Sequence, residues 1–396
     1  MQLQTTGLRV QGRATLDFFP IACAGFASMV SMRACDALLP ELATTFQVST
    51  GTAAGAVSFF VIAYGVLQLV YGPLGDRYGK QRVIACAVIA SVLINLALML
   101  APSMSAIIVL RGVAGAAAAG IIPLCIALIG DCVPYGKRQE VLARFMSATI
   151  MGMILGQWVG GVFADLLNWQ STFLVLAGLF AVSAVFLLRS LPARAVHPPR
   201  QSSYGYLTQV AGILRIAWAR SILMVALIEG AFVFSAIVFI PTYLHERFGL
   251  PLSAAGAVVA IYGAGGLAYT FCARAMLARV GESGLAWIGG VLMALGFAML
   301  AFGAHWVWAL PACFVSGLGF YMMHNTLQAN ATQMAPAARG TAVSLFAASL
   351  FLGQSLGIGV VSAVVDRFGI AAAFMASMVI LPLLGAWLAR SITRHT

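Results

Sequence analysis

Charge is what this sequence has least of. Only 8% of its 396 residues are Asp, Glu, Lys or Arg, while 62% are hydrophobic. A soluble domain carries roughly 25% charged residues, so a water-soluble globule is excluded and the solvent must be lipid. Acid is scarcer than base, 11 against 22, which leaves a net charge of +11. In a soluble chain that balance would suggest nucleic acid. In a membrane chain loop charge accounts for it, and no nucleic-acid partner is implied. Cysteine pattern is missing too. The seven cysteines are scattered, with no CxxC pair and no Cys/His cluster, which excludes a disulfide framework and a metal site. The apolar runs carry no HExxH or paired-aspartate motif, and no nucleotide-binding loop is present. An intramembrane enzyme and an ATP-driven machine therefore drop out, and no cofactor is implied.

What the chain has in abundance is long apolar runs. A span needs about 20 such residues. The runs predict twelve transmembrane helices at 18–40, 50–72, 83–101, 105–130, 141–164, 171–189, 220–243, 252–273, 284–303, 306–330, 340–364 and 371–390. The first stretch is too long for a signal-peptide core and is read as mature structure. An even number of spans puts both termini on one side. Of the 22 Lys and Arg residues, only Arg247 and Arg367 fall in loops of the opposite side, and Arg33 and Arg111 fall inside helices. Arg9, Arg13, Arg194, Arg200 and the others lie with the termini, which predicts a multi-pass inner-membrane protein with both ends in the cytoplasm.

The longest polar stretch, 190–219, holds Pro192, Pro198, Pro199, Gln201 and Ser202. It divides the chain into a first half, 1–189, and a second, 220–396. Its latter part, Tyr204 to Trp218, fits either an interfacial amphipathic helix or a flexible linker. Repeats support the division. Leu155-Gly156-Gln157 followed by Gly160 recurs 197 residues later as Leu352-Gly353-Gln354 followed by Gly357. Tyr64-Gly65 recurs 198 residues later as Tyr262-Gly263.

The loop between the second and third helices reads Gly72-Pro-Leu-Gly-Asp-Arg-Tyr-Gly-Lys-Gln-Arg82. It resembles the signature loop of the major facilitator superfamily, with Gly72, Leu74, Asp76, Arg77 and Gly79 matching and Lys80 in the first basic position. Gln81 departs from the second basic position, and Arg82 supplies that charge one residue later. Arg111, opening Arg-Gly-Val-Ala-Gly in helix 4, resembles the family's helix-4 arginine motif, with Ala114 replacing its usual glutamine. Gly152, Gly156, Gly160 and Gly161 resemble the glycine-rich helix-5 motif of proton-driven exporters, although Gly156-Gln157 stands where those carry Gly-Pro. The resemblance implies an all-α membrane protein of twelve helices in two pseudo-symmetric six-helix bundles. It also implies secondary active transport by alternating access, most simply proton-coupled efflux of small amphipathic molecules by a monomer. A proton symporter or a facilitator for uptake of a small metabolite shares fold and loop.

Ionisable groups in hydrocarbon are expensive and point to function. Arg33 and Asp36 in helix 1, Arg111 in helix 4 and Glu229 in helix 7 are therefore the candidates for proton coupling. Asp36 is expected to pair with Arg111. Burial and the arginines act on its protonation in opposite senses. A permanent ion pair or, for Glu229, a hydrogen-bonded structural acid are the bland alternatives. The resemblance assigns gating to Gly72, Asp76, Arg77, Gly79, Lys80, Arg82 and Asp131, with Asp76 accepting amides at the start of helix 11 and Arg77 or Arg82 pairing with Asp131. Tyr64, Gln68, Gln157, Trp158, Phe232, His324, Asn325, Gln328 and Gln354 are candidates for a solute cavity. The helix-5 glycines form a small-residue face for close helix packing.

Overall fold

In lipid an apolar segment satisfies its own amides and carbonyls only as a helix or a closed barrel. The computed structural model of the chain describes residues 18–190 and 203–395. Twelve membrane-length helices dominate it: α1 (Phe18–Phe46), α2 (Thr50–Tyr78), α3 (Lys80–Met99), α4 (Met104–Cys132), α5 (Tyr135–Leu166), α6 (Trp169–Ser190), α7 (Ala217–Phe248), α8 (252–280), α9 (282–302), α10 (Trp306–Gln333), α11 (Arg339–Phe368) and α12 (Ile370–His395). Each starts close to its predicted apolar run, but α1, α2, α7, α8 and α12 continue several residues beyond. Hydropathy marks only the hydrocarbon stretch, whereas backbone bonding carries a helix on into polar residues.

Arg9 and Arg13, and the linker residues Pro192, Arg194, Pro198, Pro199, Arg200, Gln201 and Ser202, lie outside the described residues. The latter part of the linker is helical, Ser203–Arg215. Arg220 Nη1 closes its C-terminus by donating to the carbonyls of Leu214 and Arg215 at 3.1 and 3.0 Å, where the helix dipole favours a cation.

Two reversals need a single glycine each. Gly79, at φ 92°, turns α2 into α3, and Gly281, at φ 67°, turns α8 into α9. Backbone of that hand is cheap only for glycine. The two positions are equivalent in the two halves, so the turn between the second and third helices recurs in the second bundle.

Packing repeats the same symmetry. α1 lies against α5, α2 against α4 and α3 against α6 in the first bundle; α7 lies against α11, α8 against α10 and α9 against α12 in the second. The duplicated glycines make the seams between the first and fifth helix of each half. A methyl at Gly160 would meet the Ala34 carbonyl, and one at Gly357 the Ala231 carbonyl. Gly160→Val is therefore expected to force α1 from α5 and cost roughly 1–3 kcal/mol, as overpacked cores do. Thermal unfolding in detergent should show the drop. Gly178→Val, where nothing lies within 4 Å, serves as its control.

Between the bundles two contacts dominate, α5 on α8 and α2 on α11. They run along only part of the molecule. One face, holding the α2–α3 turn and the linker helix, is here called the basic face, and the other the far face.

Candidate functional site

Asp36 sits in a short 3-10 turn, Ala34–Leu38, that interrupts α1. Its carboxylate is fully buried and accepts from Gln157 Nε2 of α5 at 2.9 Å. Arg33 Nη1 approaches it at 3.5 Å. The partner expected from sequence, Arg111, is spent elsewhere. Its Nε donates to the Ala56 carbonyl at 3.2 Å and its Nη1 to the Ser31 carbonyl at 3.0 Å, with the guanidinium 4.1 Å over the Phe60 ring. Arg111 thus ties α4 to α1 and α2, and its charge is part of Asp36's surroundings without touching it. The cation in contact is the near one, because three residues along a helix return to the same face.

The second bundle has its own buried acid. Glu229 ends the regular part of α7, just before a π-helical turn, Gly230–Phe234. Such turns occur mostly as single interruptions and often at functional sites. Glu229 Oε2 lies 2.8 Å from His324 Nδ1 of α10, and the imidazole stacks on Phe320 with centroids 4.7 Å apart. Two residues that sequence reasoning placed in different roles thus form one pair. Replacing His324 by Phe would strand a buried carboxylate, so His324→Phe is expected to lower stability by roughly 3–5 kcal/mol. His324→Phe with Glu229→Gln should recover much of it in the same unfolding experiment.

The bundles close on the far face. Asp366, at the end of α11, accepts from Gly51 N at 3.0 Å and Ser49 Oγ at 2.7 Å, at the start of α2. Asp165, at the end of α5, accepts from the backbone of Leu252 and Ser253 at 3.0 and 2.7 Å and from Ser253 Oγ at 2.6 Å, at the start of α8. Each carboxylate caps the opposite half's helix, where the dipole welcomes negative charge. Deeper along α2, Ser58 and Ser355 exchange hydroxyl-to-carbonyl bonds of 3.0 Å, and Tyr64 meets Phe351 edge-on at 5.0 Å.

Beyond Tyr64 the seam parts. Gln68, Gly72, Asp76 and Lys80 line a cleft of about 910 Å³ that faces Arg339, Gly340 and Thr341 of α11. Asp76 and the start of α11 thus stand across the cleft from one another, and the expected cap is open. Lys80, rather than Arg77 or Arg82, pairs with Asp131 at 2.5 Å, and it lies 3.7 Å from Asp76. Arg77 lies over Tyr78 at 5.1 Å, and Arg82 is exposed. Gln81, the residue off the signature, donates to the Ser190 carbonyl at 2.9 Å and so anchors α3 to α6. Gln209 of the linker helix accepts from Thr341 Oγ1 at 2.7 Å.

Other predicted cavity residues divide. Gln157 lines a small central cavity, and Gln354 is buried with neither amide atom partnered among the described residues. Asn325 lies beside Tyr269. Trp158, 44% exposed, lines neither cavity, because one residue past Gln157 turns the side chain by about 100°. Gln328 is exposed one turn nearer the basic face than His324, and Phe232 packs at the core's edge. Asp165 and Asp366 were missed. Their signal was an Asp at the same point of two equivalent helices, with Ser253 and Ser49 at equivalent helix starts in the opposite halves.

The profile of the Major Facilitator Superfamily matches residues 21–358. The uncharacterised MFS-type transporter YceJ of Bacillus subtilis (strain 168) is 24% identical over 356 residues, 87% of this chain and 88% of that protein. YybF of the same organism, likewise an uncharacterised MFS-type transporter, is 25% identical over 201 residues, and the match spans about half of each chain. Multidrug resistance protein 3 of Bacillus subtilis is 23% identical over 48% of this chain and 38% of its own length. Among solved structures, the nucleoside transporter NupG superposes with a TM-score of 0.75 at 18% identity, covering 95% of this chain and 98% of NupG. A D-xylose–proton symporter gives 0.75 at 17%, covering 94% and 95%. At such identities the structures speak for fold alone. Twelve helices in two equivalent bundles, the signature loop at the α2–α3 turn and a family profile over most of the chain lead to one conclusion: this protein belongs to the major facilitator superfamily of membrane transporters.

Proposed function

We propose that the chain is a proton-coupled secondary transporter that moves a small amphipathic molecule by alternating access, with residues 1–189 and 220–396 rocking about a central site. The observation that carries this reading is the asymmetry of the seam. Capping carboxylates and serine bonds seal one end, while a cleft of about 910 Å³ opens the other. The excess of Lys and Arg on the basic face supports placing that face and both termini in the cytoplasm, which makes this an inward-open arrangement. Asp36 is the proposed proton site: a buried carboxylate held by one amide and one loosely placed arginine can exchange its cation for a proton. No nucleotide is involved in the cycle, and one chain supplies every group named.

Export is the favoured direction, supported by the likeness to a multidrug resistance protein and by the glycine face of α5. Growth of a pump-deficient bacterial host across a panel of toxic amphiphiles tests it: protection by the wild type that Asp36→Asn loses supports export, and equal protection by both removes Asp36 from the cycle. Uptake by symport is the second reading, favoured because Arg33, and not Asp36, lines the central cavity. In proteoliposomes with an imposed pH gradient, solute moving against the proton flow supports export, and solute moving with it supports symport.

The cytoplasmic gate is expected to re-form in the outward-open state, with Asp76 capping the start of α11 across the present cleft. Asp76→Ala should then slow transport about tenfold, the equivalent of ~1.4 kcal/mol, at unchanged membrane insertion. A wild-type rate would show that the cap plays no part.

A further inference from the structure

The central cavity is small, about 50 Å³, and its wall is chemically lopsided. α1 and α5 supply Arg33 and Gln157; α7, α8 and α10 supply Phe234, Tyr262, Phe320 and Tyr321. Arg33 is 4% exposed and its guanidinium lies 4.8 Å over the Phe234 ring, across the boundary between bundles. Arg33 Nε and Nη1 lack hydrogen-bond partners among the described residues, as do Tyr262 Oη and Gln157 Oε1. Nη1 comes no nearer to Asp36 than 3.5 Å, outside good hydrogen-bond length.

We propose that this cavity is the closed-down seat of a solute carrying a carboxylate on a small aromatic body. The carboxylate takes the fork of Arg33 and the hydroxyl of Tyr262, and the ring lies among Phe234, Phe320 and Tyr321. This rests on the alternating-access reading and is independent of the direction of transport. A guanidinium presents paired donors that match a carboxylate, and four rings favour a flat apolar partner. An ammonium would meet the like charge of Arg33 at low dielectric. A neutral ring would leave buried donors unspent, which is costly. A space of about 50 Å³ admits only a water or two, so the seat widens as α7, α8 and α10 part from α1 and α5. The charged and titratable groups around the two residues are Cys35 and Arg111 in the first bundle and Glu229, Tyr262 and Tyr321 in the second.

Calorimetric titration of the full chain in nanodiscs with benzoate, benzamide and benzylammonium tests the assignment. Benzoate is expected to bind at least about tenfold more tightly than benzamide, and benzylammonium more weakly still. Arg33→Gln should erase the preference for benzoate and Arg33→Lys should keep part of it. Tyr262→Phe, a milder change that serves if Arg33→Gln does not fold, should weaken benzoate severalfold and leave benzamide unchanged. Equal binding of the three compounds, no binding at millimolar concentration, or a preference that survives Arg33→Gln overturns the proposal. A protein that ignores benzoate yet protects its host through Asp36 loses the anion seat and keeps the transport reading. One that binds benzoate through Arg33 but carries nothing across a bilayer loses the transport reading.

Discussion

Asp36→Asn is expected to bring pH-gradient-driven transport down to background, a fall of at least about 100-fold, while the protein still inserts and folds. Asparagine matches aspartate in shape, and its carbonyl can still accept the 2.9 Å bond from Gln157. What it cannot do is alternate between a charge and a proton. The loss is therefore specific to coupled transport: exchange of solute for solute at equal pH on both sides needs no net proton and should persist. Fold survives because Arg111, the arginine that staples α1, α2 and α4, is bound to carbonyls and not to Asp36. By the same logic Arg111→Ala should be a folding lesion, because it leaves two carbonyl contacts unmade in a fully buried place. Full gradient-driven activity in Asp36→Asn, measured in proteoliposomes, would overturn the coupling role.

Replacing Asp165 and Asp366 together by Ala is expected to shift the resting conformation toward the outward-open side. A lost helix cap costs ~0.5–2 kcal/mol, and the two caps are far enough apart along the seam to add. A combined ~1–4 kcal/mol changes the ratio of conformations by roughly 5- to 1,000-fold. The two carboxylates bridge opposite halves in this conformation only if the far face is closed, so removing them favours the state that lacks the contacts. Spin labels at Thr52 and Phe368, in a cysteine-free background, should then report a growing population at longer separation. A distance distribution unchanged from that of the parent would mean that Ser58, Ser355 and the ring contact of Tyr64 hold the seam without help.

Much of this molecule was legible from residue order. Twelve apolar runs became twelve helices because hydrocarbon leaves the backbone no alternative. The repeats proved more informative than their brevity suggested: Tyr64-Gly65 marks the point where the seam gives way to the cleft, and Gly156, Gly160, Gly353 and Gly357 make the two matching intra-bundle seams. Pairings were less legible. Charge scarcity singled out Arg33, Asp36, Arg111 and Glu229, but which met which depended on rotations of whole helices. Arg111 turned to carbonyls of α1 and α2, Lys80 took Asp131, and His324 met Glu229 across the second bundle. Trp158 and Gln328 line neither described cavity, because composition places a side chain on a helix without saying which way it points. Asp165 and Asp366 escaped notice because an acid near a loop is unremarkable until a helix start of the opposite half is seen beneath it.

The glycine seams carry a mechanical consequence. With backbone resting directly on backbone at Gly160 and Ala34, and again at Gly357 and Ala231, neither half has slack between its first and fifth helices. A push on one end of such a stack reaches the other end almost undiminished, so each half behaves as a lever and not as a spring. Prying at the α2–α11 and α5–α8 contacts on one side of the bilayer is then felt as closing force some tens of ångströms away on the other.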